Sequence, residues 1–272
     1  MPDIRPMEQF LVKVVVPLKV DIPGLGTVDL SITNSVVTMM AAALIICGFF
    51  LMSAKRQIVP GRMQSLSESL YDIIDGVLVE PIIGHNGRPY IPFVFTIFML
   101  VLVMNMMGIL LNVGNLFGLN LAFTATAQLA VTATLALLTF LSVIVIGFIK
   151  NGFGMYKLFV PSGMAPALLV LMIPIEMISF FVRPLTLAMR LFGNMIGGHV
   201  VMNIFASFVV LLGTFALSGG LAYLGFIGSG VSLAMVVALT ALELIVAFLQ
   251  AFVFATLATV YLNEVVNLGH GH

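Results

Sequence analysis

Residues 176–203 read EMISFFVRPLTLAMRLFGNMIGGHVVMN, and the whole chain is read outward from this stretch. It is apolar and helical in pattern, yet it carries Glu176, Arg183, Arg190 and His199. A charged side chain at the centre of a bilayer costs roughly 3 kcal/mol on insertion scales. An oily helix that keeps two arginines, a carboxylate and an imidazole therefore marks a functional site.

The surrounding composition sets the solvent. Of 272 residues, 61% are hydrophobic and 8% charged; ordinary soluble domains carry about 25% charged residues. Several apolar runs exceed the ~20 residues that span a bilayer. The fold class is all-α, a polytopic membrane protein, because barrel strands would alternate apolar and polar residues and these runs do not. Eleven Lys and Arg balance eleven Asp and Glu, which argues against nucleic acid or another polyanion as partner. The single Cys47 reads as a small buried hydrophobe inside an apolar run. The N-terminus lacks a signal-peptide pattern. The absence of a phosphate-binding loop, metal-ligand cluster or nucleophile elbow leaves soluble catalysis unsupported and no cofactor or metal expected.

In chain order, residues 1–33 form a polar, proline-containing arm, with a short interfacial helix expected around Met7–Val16. The first span, 36–54, ends at Lys55, Arg56 and Arg62, which place the cytoplasm there under the positive-inside rule. Residues 63–83 fit an amphipathic surface helix. Met63, Leu66, Leu70, Ile73, Ile74 and Val77 lie on its apolar face, and Glu68, Asp72 and Asp75 opposite. That acidic face is either simply solvated or a docking surface. Gly84–Pro92 reads as a loop, and 91–111 and 121–149 as further spans, the latter returning to Lys150 and Lys157. Asn105, Gln128 and the threonines suit interhelical hydrogen bonds. An apolar helix pattern over 164–213 would be about 75 Å long at 1.5 Å per residue, so it crosses twice or crosses once with extreme tilt. Ser218–Gly230 reads as an outside connection and 231–262 as the last helix, followed by a solvated tail with His270 and His272.

Helical angles organise the charged stretch. Glu176, Arg183 and Arg190 are spaced by seven and drift only about 20° per step. Asn194 lies one turn beyond Arg190, whereas His199 falls about half a revolution away. Glu243 and Gln250 share one face of the last helix. In an antiparallel hairpin, residues at equal depth have a nearly constant index sum, here about 440. That register sets Arg190 level with Gln250, His199 with Glu243, and Glu176 with Glu264. Imidazole and carboxylates mark proton relays in membranes. Arginine does not release its proton, so Arg190 interrupts a proton wire and suits a carboxylate from another subunit. Gly193, Gly197 and Gly198 allow close helix approach.

RPLTLAMRLFGNMIGGHVV and LQAFVFATLATVYL, with VPGRMQSLSESLYD and AFTATAQLAVTATLALLTF, resemble subunit a of the F-type ATP synthase over most of the chain. The resemblance implies five membrane helices, the last two a long, steeply tilted antiparallel hairpin in one integral-membrane domain spanning 1–272. It implies a stator beside a rotating c-ring, with peripheral-stalk b subunits and lipid as further partners. The N-terminus would lie outside, in a bacterial inner membrane or, alternatively, a mitochondrial one. It further implies roles in proton translocation: Arg190 as the essential arginine, Asn194 in the same motif, and Gln250 facing the ring. His199 and Glu243 would serve an outer half-channel. Glu176 would serve an inner one, with Arg183 in the same motif context. Nucleotide chemistry would sit on other subunits. Two rivals stand beside this reading, a secondary antiporter and a structural anchor; internal repeats, expected of the first, are not seen.

Overall fold

A computed structural model describes residues 14–17, 19–22, 26–29, 31–54, 60–116, 124–160, 166–217 and 222–268. Five helices among them are long and apolar enough to cross a membrane. They are α1 (Asn34–Ser53), α4 (Ile91–Leu116), α5 (Leu129–Asn151), α6 (Pro166–Leu217) and α7 (Ala222–Val266). Two shorter helices, α2 (Arg62–Ile73) and α3 (Glu80–Ile83), lie between α1 and α4. The chain is thus an all-α polytopic membrane protein. Large apolar side chains such as Leu44, Leu51, Val170 and Leu217 are exposed along the long helices, as lipid-facing surfaces require.

The arm contains strands where a helix was expected. Val14–Val16 (β1) pairs antiparallel with Ile32–Thr33 (β4), and Lys19–Ile22 (β2) with Gly26–Asp29 (β3). A run of three valines favours a pleated strand, and the rest of the expected helix, residues 7–13, lies outside the described residues. Cys47 is exposed on α1, a correction to its reading as buried, because α1 turns that face away from the protein.

Residues 62–83 form one continuous helical stretch, and burial within it begins at Ile74. Ile74, Leu78, Val79 and Ile83 are buried, while Met63, Leu66, Ile73 and Val77 are exposed. A π-helical turn spans Ile74–Val79. Such a turn inserts extra residue into the helical period and rotates the later positions. Gly84–Pro92 is not an irregular loop: Gly84 turns at φ 79° and is followed by a 3₁₀ turn, His85–Tyr90. α5 begins at Leu129 and not near residue 121. Thr124–Gln128 instead makes a partly 3₁₀ segment, buried from Thr124 to Ala127. Residues 117–123 lie outside the described residues, as does the His270 and His272 tail.

α6 is one helix of 52 residues that absorbs Pro174 and Pro184 without a break. That removes the double crossing of 164–213. α7 is longer than read, because the expected connection up to Gly230 is helical from Ala222. Its glycines serve contact. A Cβ on Gly225 would sit 2.8 Å from Ala216 Cβ, and one on Gly228 3.0 Å from Leu212 Cδ1.

The chain divides into two compact units. One comprises Met1–Ala43, Leu102–Val131 and Leu191–Leu249. In it the two long helices run antiparallel, from Ala216 beside Gly225 to Ser229 donating to the Val209 carbonyl and Thr240 to Met202 Sδ. Ile109, Ala127, Met195 and Ala247 make its buried cluster. Asn105 Nδ2 donates to the Ala247 carbonyl at 3.4 Å, and Ser35 Oγ to Gln128 Oε1 at 2.7 Å.

The second unit comprises Leu44–Val101, Thr132–Arg190 and Gln250–His272. Ser53 hydrogen-bonds Ser67, and Phe95 meets Phe50 and Tyr71 at centroid distances of 5.4 and 6.0 Å. Phe140 packs on Phe180, 4.9 Å between centroids. Asn151 Nδ2 donates to the Val265 carbonyl at 2.6 Å, beside Gly147, where an added Cβ would run into Val265 Cγ1. Gly147→Ala should therefore force α5 from α7 at a cost of about 1–3 kcal/mol. The check is the thermal midpoint of the purified chain, which should fall relative to wild type.

Candidate functional site

Two polar clusters are built on α6 and α7, one in each unit. The first holds His199 and Glu243. His199 Nδ1 lies 3.9 Å from Glu243 Oε2, and both residues are buried, at 1% and 7% exposure. Neither Glu243 oxygen has a hydrogen-bond partner among the described residues. Gly198 makes the room for that carboxylate: a Cβ there would stand 2.5 Å from Glu243 Oε1. Gly193 and Gly197 have no such neighbour within 4 Å, so of the three glycines only Gly198 shapes this contact. Asn194 joins His199, Glu243, Ile109, Met195 and Val246 around a cavity of about 10 Å³, room for roughly one water. The cavity is thus lined by an imidazole, a carboxylate and an amide.

The second cluster centres on Arg183. Its guanidinium pairs with Glu264 and lies 3.5 Å from Glu176. It also lies over two rings, 5.1 Å from the Tyr261 centroid and 5.8 Å from that of Phe180. Glu176 and Arg183 meet because seven residues nearly close two helical turns. Both carboxylates are about one-third exposed, against 19% for the Arg183 side chain, so this acid pair stays open at its edge.

Arg190 and Gln250 belong to the same unit as this second cluster. Gln250 is 4% exposed. Arg190 is exposed, on a stretch of α6 whose other exposed side chains include Leu185 and Met189. A guanidinium displayed among aliphatic side chains at mid-helix is costly in an apolar surrounding. Along α6 it stands seven residues past Arg183, roughly 10 Å of helical rise.

Not every relevant residue was evident in the sequence. Thr124 Oγ1 lies 3.2 Å from His199 Nε2, though the two are 75 residues apart. Tyr261 faces Arg183, and no spacing rule points to it. Among the described residues no group of three or more His, Cys, Asp or Glu could hold a metal ion.

The family model described as ATP synthase A chain matches residues 36–263. The ATP synthase subunit a of Rhodopseudomonas palustris (strain BisB18) is 42% identical over 268 residues, covering 98% of this chain and 100% of that protein. The ATP synthase subunit a of Rhizobium rhizogenes (strain K84 / ATCC BAA-868) is 43% identical over 268 residues, covering 98% of each. Mesorhizobium japonicum contributes a further ATP synthase subunit a at 42% identity, again with 98% of both chains covered. With that agreement along nearly its full length, the chain belongs to the ATP synthase subunit a family.

Proposed function

We propose that this chain carries protons to and from the carboxylates of a rotating c-ring, through two offset half-channels. The exposed Arg190 on an apolar stretch of α6 is the observation that carries the reading. Protons enter from outside past His199, Glu243 and Asn194, and neutralise a rotor carboxyl. The neutral acid can then face lipid, which its ionised form could not do cheaply. After nearly a full turn the acid meets the inner path near Glu176 and Arg183 and gives up its proton.

Arg190 keeps the arriving carboxylate ionised and, being unable to release its own proton, blocks direct passage between the two paths. Gln250 helps present the ring-facing surface. The membrane potential alone supplies about 2.3 kcal/mol per proton per 100 mV. The imidazole in the path favours H⁺ over Na⁺. On this reading, 1–272 works as one membrane domain with tilted last helices, in a bacterial inner membrane. The c-ring and the peripheral-stalk b subunits are its partners, and the nucleotide chemistry lies on other subunits.

The test is proton flux in liposomes under an imposed potential. Flux is expected when the chain and the c-ring are reconstituted together, and only then. A chain that moves protons alone in exchange for a counter-ion is an antiporter, and the reading fails.

A further inference from the structure

The buried segment before α5 bears directly on His199, and it is not α-helical. Irregular backbone at membrane depth is tolerated where it packs in protein or lines a cavity. Thr124, at its start, is 6% exposed. Its hydroxyl lies between two groups, 3.2 Å from His199 Nε2 and 3.5 Å from the Gly108 carbonyl oxygen of α4. Its position is fixed by shape, because a Cβ on Gly108 would run into the Thr124 methyl group.

The geometry points to Thr124 as a positioning residue that orients His199 in both of its charge states. A hydroxyl has one hydrogen to give and two lone pairs to accept with, while a carbonyl only accepts. When the imidazole is neutral, the Thr124 hydroxyl donates to a bare Nε2. The ring proton then sits on Nδ1, facing Glu243 Oε2 at 3.9 Å. When His199 takes a proton, Nε2–H must be accepted. The same hydroxyl rotates, accepts it, and turns its own hydrogen to the Gly108 carbonyl. One rotor thus serves both states, and the ring need not turn. In each state Nδ1 stays aimed at Glu243, the titratable group that lines the cavity beside His199. The inference rests on His199 being in the proton path.

The experiment uses the assembled ATP synthase in liposomes, with ATP synthesis driven by an acid–base jump and normalised to the content of this chain. Thr124→Val keeps the shape and removes the hydroxyl; Thr124→Ser keeps the hydroxyl and removes the methyl. Loss of roughly tenfold is expected for Thr124→Val, the scale of one hydrogen bond to an ionisable group, and a rate within about twofold of wild type for Thr124→Ser. Retained activity in Thr124→Val overturns the inference, as does equal loss in both variants, which signals packing alone. Should Thr124→Val not assemble, Thr124→Cys, a weak donor of similar size, replaces it with the same expected loss. His199→Ala is measured alongside. If it retains full synthesis, the proton path through His199 is wrong; if it is inactive while Thr124→Val is normal, only the role of Thr124 is wrong.

Discussion

Arg190→Ala is expected to abolish ATP synthesis driven by a proton gradient while passive proton leak persists or rises. Two consequences of one charge produce the split. On the proposed function, the rotor carboxyl loses the cation that keeps it ionised between the two paths, so the acid passes without releasing its proton to the proper side. On the same proposal, the fixed positive charge that blocks direct passage is also gone, so protons can cross without turning the ring. A mid-membrane guanidinium costs roughly 3 kcal/mol to place, so it must be held there by a partner or a task. Arg190→Lys is expected to fail as well, because an ammonium is a point charge that can deprotonate when buried, and it lacks the planar fork. The check is paired measurement of synthesis and leak in the same vesicles. Coupled synthesis at the wild-type rate in Arg190→Ala would remove Arg190 from this role.

The second large effect concerns His199 and Glu243. Either single change, His199→Ala or Glu243→Ala, is expected to slow proton uptake by roughly a hundredfold, the scale of a positioned acid–base group. Exchange of the two, His199→Glu with Glu243→His, is expected to recover most of that loss, because one imidazole and one carboxylate still face the same cavity. Gly198 sets the limit on such repair. It must stay a glycine, since any Cβ would press on the residue at 243. Proton uptake measured in the swapped variant decides the matter: a swap no better than the single variants would mean that the two side chains act separately.

Much of this arrangement was legible in residue spacing. The seven-residue repeats of Glu176, Arg183 and Arg190 anticipate the contact of Arg183 with Glu176. A hairpin register alone anticipates that His199 meets Glu243. Charge in an apolar run is a strong signal because the bilayer makes it expensive. What stayed hidden arises from tertiary contact. The start of α7 stayed hidden because an uncharged stretch suits an outside connection, whereas Gly225 and Gly228 pack closely on α6. Thr124 could not be linked to His199 because no local periodicity joins residues 75 apart. The acidic partners of Arg183 were only half evident: Glu176 by spacing, Glu264 by register.

The central claim is most directly tested by a density map of this chain assembled with its c-ring, read at Arg190. The account predicts a guanidinium at mid-membrane within about 4–6 Å of a rotor carboxyl, the range over which an opposite charge favours ionisation. A guanidinium turned into lipid or headgroups, with no rotor carboxyl beside it, would contradict it.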